Sequence, residues 1–192
     1  MQAYQRSLLP LADIITPNRF EASKLTGIDI DSSSESAMEQ ALEAVDILHN
    51  MGVRIVVITS FQIASLKDQL ACILSYKPSP RSDCNVDYGP IKPPLPEAYM
   101  IRIPKLDCSF TGTGDLFAAL LTGWLRNTNF DIKKSFENTT NSIHEILEDT
   151  FSWYRRVNDG SVQSQELRLV QNRAHIICPK QIRFIAEKIV FP

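Results

Sequence analysis

Apolar residues along the chain fall into short continuous runs and into longer stretches with helical spacing. The runs at 11–16 and 54–60 are rich in leucine, isoleucine and valine, as is typical of buried strands. Between them, one helix face is marked by Met38, Ala41, Leu42, Val45 and Leu48. This spacing predicts an amphipathic helix. Strand, helices and strand together predict a βαβ unit with parallel strands and a right-handed crossover.

The ends of the predicted helices carry recognisable capping signals. Asn18 fits the N-cap of a helix, and Glu21 follows three residues later, where the acid of a capping box lies. Gly27 suits the left-handed residue that follows a helix. We predict that Ser33 or Ser34 caps the next helix.

The C-terminal two thirds of the chain predict more sheet and then mostly helix. Strands are expected at 69–76 and 98–103, as an antiparallel extension of the sheet. The loop between them, at 77–96, contains six of the eleven prolines and is longer than a simple connector. An apolar helix is predicted at 115–126 and a long amphipathic helix at 131–157.

The pattern is weaker near the end of the chain. A polar loop is predicted at 159–165 and a short strand at 167–170. A terminal helix is predicted at 179–189, because a proline stands where a first helical turn would begin.

Composition restricts the class of protein without identifying it. At 192 residues, with 44% hydrophobic and 22% charged residues, the chain suits a single α/β domain over 1–192. A net charge of −2 argues against nucleic acid as a partner. No apolar run could span a bilayer, no signal peptide is apparent and the four cysteines form no Cys-x-x-Cys pair, so we expect a cytoplasmic protein. The three histidines show no spacing pattern and are expected to be exposed or hydrogen-bonded.

A glycine-punctuated loop at 107–117 leads directly into the apolar helix. Backbone N–H groups of Gly112, Thr113 and Gly114 lie where the start of a helix favours an anion. Asp115 could accept a proton from an attacking hydroxyl beside that anion, which suits phosphoryl transfer. The alternative is an ordinary helix start, because the helix dipole favours an aspartate there in any case.

Three segments together resemble the pyridoxal kinases, a family of the ribokinase-like superfamily. They are 12–22, 56–60 and 110–119, and the segment 166–171 is also similar. The resemblance implies an α/β fold with a central, mostly parallel sheet flanked by helices. It also implies that the chain corresponds to the C-terminal portion of the family, without the N-terminal half that carries vitamin-binding residues.

The resemblance implies a reaction and a set of ligands. The reaction is ATP-dependent phosphorylation of the 5′-hydroxymethyl group of pyridoxal, pyridoxine or pyridoxamine. Magnesium and a monovalent cation, K⁺ or Na⁺, are the implied ions, and the complete protein is expected to be a homodimer. The competing hypotheses are another kinase of the superfamily, such as a hydroxymethylpyrimidine kinase, and a truncated, non-catalytic protein.

The same resemblance assigns roles to individual residues. Asp115 matches the catalytic base, and the anion hole matches Gly112, Thr113 and Gly114. The positions that match nucleotide contacts are Asn18, Glu21, Thr59, Ser60, Leu106, Asp107, Cys108 and Thr113. The positions that match metal contacts are Thr16, Glu21 and Thr59. A purely structural interpretation stays open for several of them, since Asn18 and Glu21 could form only a capping box.

Overall fold

The computed structural model describes residues 3–77, 97–157, 161 and 163–190. The proline-rich loop predicted at 77–96 lies outside the described residues except for Lys77. Most of the polar loop predicted at 159–165 lies outside them as well, although Gln163–Gln165 forms a 3-10 turn. None of the described helices is long and apolar enough to cross a membrane.

Five strands form one sheet in chain order. They are β1 (Ile14–Ile15), β2 (Ile55–Phe61), β3 (Gln69–Tyr76), β4 (Glu97–Pro104) and β5 (Glu187–Lys188). β1 pairs with β2 in parallel, as predicted for the βαβ unit, and the other three pairs are antiparallel. The antiparallel extension predicted for β3 and β4 is therefore confirmed. The sheet formed by the described residues is mixed, with one parallel pair, rather than the mostly parallel sheet that the family resemblance implies.

Helices cover both faces of this sheet. They are α1 (Arg19–Thr26), α2 (Ala37–Asn50), α3 (Thr113–Asn127), α4 (Ile132–Val157) and α5 (Arg173–Ile177), with short turns at Tyr4–Leu8 and Leu9–Leu11. Alternate residues of β2 separate two cores, because successive side chains of a strand point to opposite faces. Val57 packs with the buried residues of α3 and α4, whereas Val56 and Ile58 pack with those of α1 and α2. The predicted α/β class is confirmed.

β2 contains a bulge next to its end. Ile58 pairs with Ile73 and Phe61 pairs with Ala71, so three steps along β2 match two steps along β3. Thr59 and Ser60 share the place of one residue, as in a β-bulge. Phe61 nevertheless returns to the same core as Ile58.

The capping box of α1 is confirmed. The Asn18 side-chain oxygen accepts a hydrogen bond from the Glu21 N–H (2.9 Å), and the Glu21 carboxylate accepts one from the Asn18 N–H (2.8 Å). Gly27 ends the helix with φ +82°. The cap predicted for α2 is wrong, because that helix begins after Ser36, and Ser34 uses its hydroxyl to accept the Ser36 N–H (3.0 Å).

Two predicted strands differ from the structure. β1 is shorter than the predicted 11–16, because Leu9–Leu11 forms a 3-10 turn around a proline. The strand predicted at 167–170 is wrong. Its chain turns instead, with the Asn172 N–H bound to the Arg168 carbonyl (3.1 Å), and only Glu166 forms an isolated bridge, to Thr111.

The terminal helix predicted at 179–189 is also wrong, because α4 supplies the hydrogen bonds that a helix would make internally. Three side chains one turn apart on α4, Glu137, Asn141 and Glu145, accept hydrogen bonds from this segment and form what we call the acceptor ladder. The donors are the N–H groups of Ala186 to Glu137 (2.9 Å), of Arg183 and Phe184 to Asn141 (2.8 and 3.0 Å), and of Lys180 and Gln181 to Glu145 (3.0 and 3.2 Å). The extended segment then joins the sheet as β5.

Candidate active site

A cavity of about 430 Å³ opens where β1, β2, α1, α3 and α4 approach one another. Its polar wall consists of Thr16, Asn18, Glu21, Thr59, Ser60, Ser109, Thr113 and Gly114. Its apolar wall includes Leu70, Ile103, Leu106, Phe117, Ile143 and Leu147. A cavity with an apolar wall and a small set of convergent polar groups is the usual form of a small-molecule site.

Most residues predicted for the site line this one cavity. Nine do so: Thr16, Asn18, Glu21, Thr59, Ser60, Leu106, Cys108, Thr113 and Gly114. Asp107, Gly112 and Asp115 are outside its lining. Gly112 immediately precedes α3, and Asp115 is exposed in the first turn of that helix. The fold thus gathers residues that are nearly a hundred positions apart in sequence, while their individual roles stay predictions.

The start of α3 presents free backbone donors beside the cavity. Gly112 has φ +87°, a left-handed conformation that favours glycine, and it turns the chain into the helix. The first helical hydrogen bond runs from the Leu116 N–H to the Gly112 carbonyl (3.1 Å). The N–H groups of Thr113, Gly114 and Asp115 therefore precede the helical bonding pattern, so they can bind an anion.

The bulge of β2 is connected to the start of α1. The Thr59 N–H donates to the Pro17 carbonyl (3.0 Å). This contact holds Thr59 and Ser60 near Asn18 and Glu21, which follow Pro17 directly in sequence. Bulges commonly redirect side chains next to active sites, and here both polar residues of the bulge line the cavity.

Glu21 is the acidic side chain in the cavity wall. One carboxylate oxygen accepts the Asn18 N–H in the capping box, which leaves the other oxygen for a ligand. Within the part of the chain that the structure describes, no group of three or more histidine, cysteine or acidic residues could hold a metal alone. Magnesium is commonly bound by one or two carboxylates together with phosphates and water, so a magnesium-nucleotide fits this donor set and a metal held by protein alone does not.

Three residues of the cavity come from α4, which the sequence did not assign to a site. Ile143, His144 and Leu147 line it. Apolar residues at helical spacing predict a buried face but not what that face contacts. His144 is 2% exposed, and within the described residues neither ring nitrogen has a hydrogen-bond partner. The expectation that it would be exposed or hydrogen-bonded is wrong.

The ionisable groups of this region are shifted mainly by burial. Burial lowers the pKa of His144, and the Arg183 guanidinium acts in the same direction while Glu148 opposes it. Burial also raises the pKa of the Cys108 thiol. A neutral imidazole and a protonated thiol are therefore the forms that face a ligand at neutral pH.

The chain is similar to known kinases of small molecules. The sequence model of the phosphomethylpyrimidine kinase family matches residues 1–89. The pyridoxal kinases of Ovis aries, Homo sapiens and Arabidopsis thaliana are 34%, 35% and 36% identical in alignments 186, 184 and 181 residues long, and each alignment covers 94% of this chain. The chain is a homologue of the pyridoxal kinases. It spans about half the length of these relatives, 55%, 55% and 52% respectively.

Solved pyridoxal kinases share its fold. The enzyme from Leishmania donovani superposes with a TM-score of 0.79 at 24% identity, covering 98% of this chain and 56% of the other. The enzyme from Trypanosoma brucei superposes with a TM-score of 0.73 at 26% identity, covering 98% and 55%. The α/β arrangement described above is therefore that of a pyridoxal kinase over slightly more than half of that fold.

Proposed function

We propose that the protein transfers a phosphoryl group from ATP to the 5′-hydroxymethyl group of pyridoxal, pyridoxine or pyridoxamine. The observation that carries this proposal is the convergence of three separate segments, around Asn18, Thr59 and Thr113, on one cavity beside the start of α3. The similarity to pyridoxal kinases supports the choice of reaction. The Leishmania donovani enzyme has been solved with ADP and pyridoxine and with ADP and pyridoxamine.

In this proposal the nucleotide occupies the cavity, with its phosphates at the polar wall. Asn18, Thr59 and Ser60 contact the nucleotide, and Leu106, Asp107 and Cys108 flank it. The N–H groups of Gly112, Thr113 and Gly114 form the anion hole for the transferred group. Charge stabilisation of this kind contributes most to phosphoryl transfer, because the loose transition state needs little covalent assistance.

Asp115 acts as the catalytic base. Its carboxylate accepts the proton of the vitamer hydroxyl while the hydroxyl oxygen forms a bond to the γ-phosphorus. The bond between that phosphorus and the bridging oxygen breaks, and ADP leaves with the electron pair. The exposed position of Asp115 at the start of α3 supports this role, since a substrate can reach it beside the helical N–H groups.

The implied ions fit the donor set only together with the nucleotide. Glu21 offers one free carboxylate oxygen to a magnesium ion held by phosphates. Bound there, magnesium neutralises phosphate charge. We propose Thr16 and Thr59 as contacts of the monovalent cation. A cytoplasmic homodimer, with 1–192 as one domain, remains part of the proposal on the strength of the family resemblance.

The test is pyridoxal 5′-phosphate formation by the purified chain with pyridoxal, MgATP and potassium. We expect Asp115→Asn to reduce turnover by about a hundredfold or more, with ADP affinity nearly unchanged. Asp29→Asn is the matched control, because Asp29 is exposed and absent from the cavity wall.

The outcomes separate the parts of the proposal. Near-normal turnover by Asp115→Asn would exclude the base role. Binding of ADP without product would exclude pyridoxal phosphorylation by this chain alone while the nucleotide cavity stands. No binding of ADP by a cooperatively folded chain would exclude the nucleotide cavity itself.

A second candidate function is phosphorylation of a hydroxymethylpyrimidine. The match of residues 1–89 to the phosphomethylpyrimidine kinase family favours it. The two candidates share the cavity and the base, so they differ only in the acceptor. A panel of pyridoxal, pyridoxine, pyridoxamine and hydroxymethylpyrimidine, each with MgATP, distinguishes them by relative kcat/KM.

A further inference from the structure

His144 is a buried histidine without a hydrogen bond in the wall of the cavity. It is 2% exposed, and neither nitrogen has a hydrogen-bond partner within the described residues. The Glu148 carboxylate lies 3.8 Å from Nδ1, which is beyond hydrogen-bond distance. The Phe184 ring stacks on the imidazole with centroids 4.5 Å apart.

His49, which does not line the cavity, shows how the same fold pairs a buried histidine. It is buried to a similar degree, at 6% exposed, yet its two ring nitrogens contact the Val53 carbonyl and the Ser75 hydroxyl, each at 2.8 Å. Buried polar groups are nearly always paired in this way, because an unpaired one destabilises the fold. His144 therefore departs from the rule at a position where the protein has a cavity.

Packing alone does not account for a histidine at this position. A phenylalanine would keep the stack on Phe184 without unpaired nitrogens, and it would lose the 3.8 Å approach of Nδ1 to the Glu148 carboxylate. Within the described residues, other polar side chains of α4 also have no partner, including the Thr140 hydroxyl, but Thr140 does not line the cavity. Among the α4 residues with these unpaired groups, His144 is the one that lines the cavity.

We infer that His144 hydrogen-bonds the base of the nucleotide in this cavity and contributes to the selection of that base. The inference rests on the proposed function, because it takes the cavity to be the nucleotide site. Ile143, Leu147 and Phe117 provide apolar surface beside His144, which suits a flat base, whereas phosphates suit the polar wall. A neutral imidazole has one donor and one acceptor nitrogen, so rotation of the ring presents either to a purine edge.

The stack on Phe184 supports the same arrangement. The two rings are 17° from parallel, so a half-turn of the imidazole exchanges its ring nitrogens and carbons while the ring stays stacked on Phe184. The ring also remains neutral at physiological pH, because its burial disfavours the charged form. A nucleotide thus supplies a hydrogen bond that His144 does not find within the described residues.

The test compares His144→Phe with the original chain in two binding assays. ADP reports on the base and the phosphates together, and inorganic tripolyphosphate reports on the polar wall alone. We expect His144→Phe to weaken ADP binding about three- to tenfold and to leave tripolyphosphate binding unchanged. The unfolding temperature should stay the same or rise, because unpaired buried nitrogens are removed. Thr140→Val is the control: it removes an unpaired buried group away from the cavity and should not change ADP affinity.

The outcomes distinguish this inference from the proposed function. Unchanged ADP affinity in His144→Phe, or an equal loss for tripolyphosphate, would overturn the inference while the nucleotide site stands. Failure of the original chain to bind ADP would overturn both. If His144→Phe does not fold, NMR of the imidazole nitrogens in the original chain decides the question. Shifts of the His144 signals with ADP but not with tripolyphosphate support the base contact, and their absence refutes it.

Discussion

Replacing Asn141 with leucine tests whether the acceptor ladder holds the C-terminal segment in place. The Asn141 amide joins the backbone of the segment at three points. Its oxygen accepts the N–H groups of Arg183 and Phe184, and its nitrogen donates to the Phe184 carbonyl (2.9 Å). Leucine has nearly the same shape but can make none of these bonds, so three backbone groups lose their partners.

The expected loss can be worked out from these contacts. An intramolecular hydrogen bond contributes about 1 kcal/mol net, so three give about 3 kcal/mol. Arg183 is exposed and Phe184 is partly exposed, so water recovers part of this loss. We expect Asn141→Leu to reduce the free energy of unfolding by about 2 to 3 kcal/mol.

Urea unfolding followed by circular dichroism measures this change. With an m-value of about 2 kcal/mol per molar, the midpoint should fall by about 1 to 1.5 M. Asn138→Leu is the matched control, because Asn138 lies on the same helix and is 8% exposed, and its side chain makes no hydrogen bond within the described residues. The reasoning is refuted if the two variants unfold within about 0.5 kcal/mol of each other.

Two further predictions concern a histidine and a glycine. Burial lowers the pKa of His49 in the folded chain. The stability that His49 contributes is therefore complete above the unfolded pKa of about 6.5 and is lost as the pH falls below that value. The unfolding midpoints at pH 7.5 and pH 5.5 should differ less in His49→Gln than in the original chain, and an unchanged difference would contradict this. Gly112→Ala should reduce the free energy of unfolding by about 1 to 2 kcal/mol, because φ is +87° at this residue. Gly114→Ala should be neutral or stabilising, because Gly114 is helical and nothing lies within 4 Å of an added Cβ. Equal unfolding temperatures for the two glycine variants would count against the strain argument.

The elements that the sequence predicted well are those whose causes are local. The β-branched run of β2 and the capping box at Asn18 and Glu21 contain within a few residues the interactions that form them. The segment after Pro179 was mispredicted because its hydrogen-bond partners lie far away in sequence. Asn141 and Phe184, for example, are 43 residues apart.

The residues of the site also fall into a part that the sequence predicted and a part that it did not. The motifs around Asn18, Thr59 and Thr113 identified one wall of the cavity, because the family resemblance places polar residues at those spacings. The part of the wall that comes from α4 could not be predicted, because the apolar face of a helix predicts burial but not which residues or cavity it contacts. His144 became a candidate only when its missing hydrogen bonds were located beside the cavity.

The extra residue in the bulge of β2 contributes to the cavity wall but is not needed for the pairing of β2 with β3. If either Thr59 or Ser60 were deleted, Ile58 would still oppose Ile73 and Phe61 would still oppose Ala71, now in a regular ladder. Both cores would keep their residues, and the remaining polar residue would turn towards the sheet face of Val57. The core therefore does not require the extra residue. A one-residue deletion removes half of this part of the cavity wall while preserving the sheet, so chain length here constrains ligand binding rather than folding.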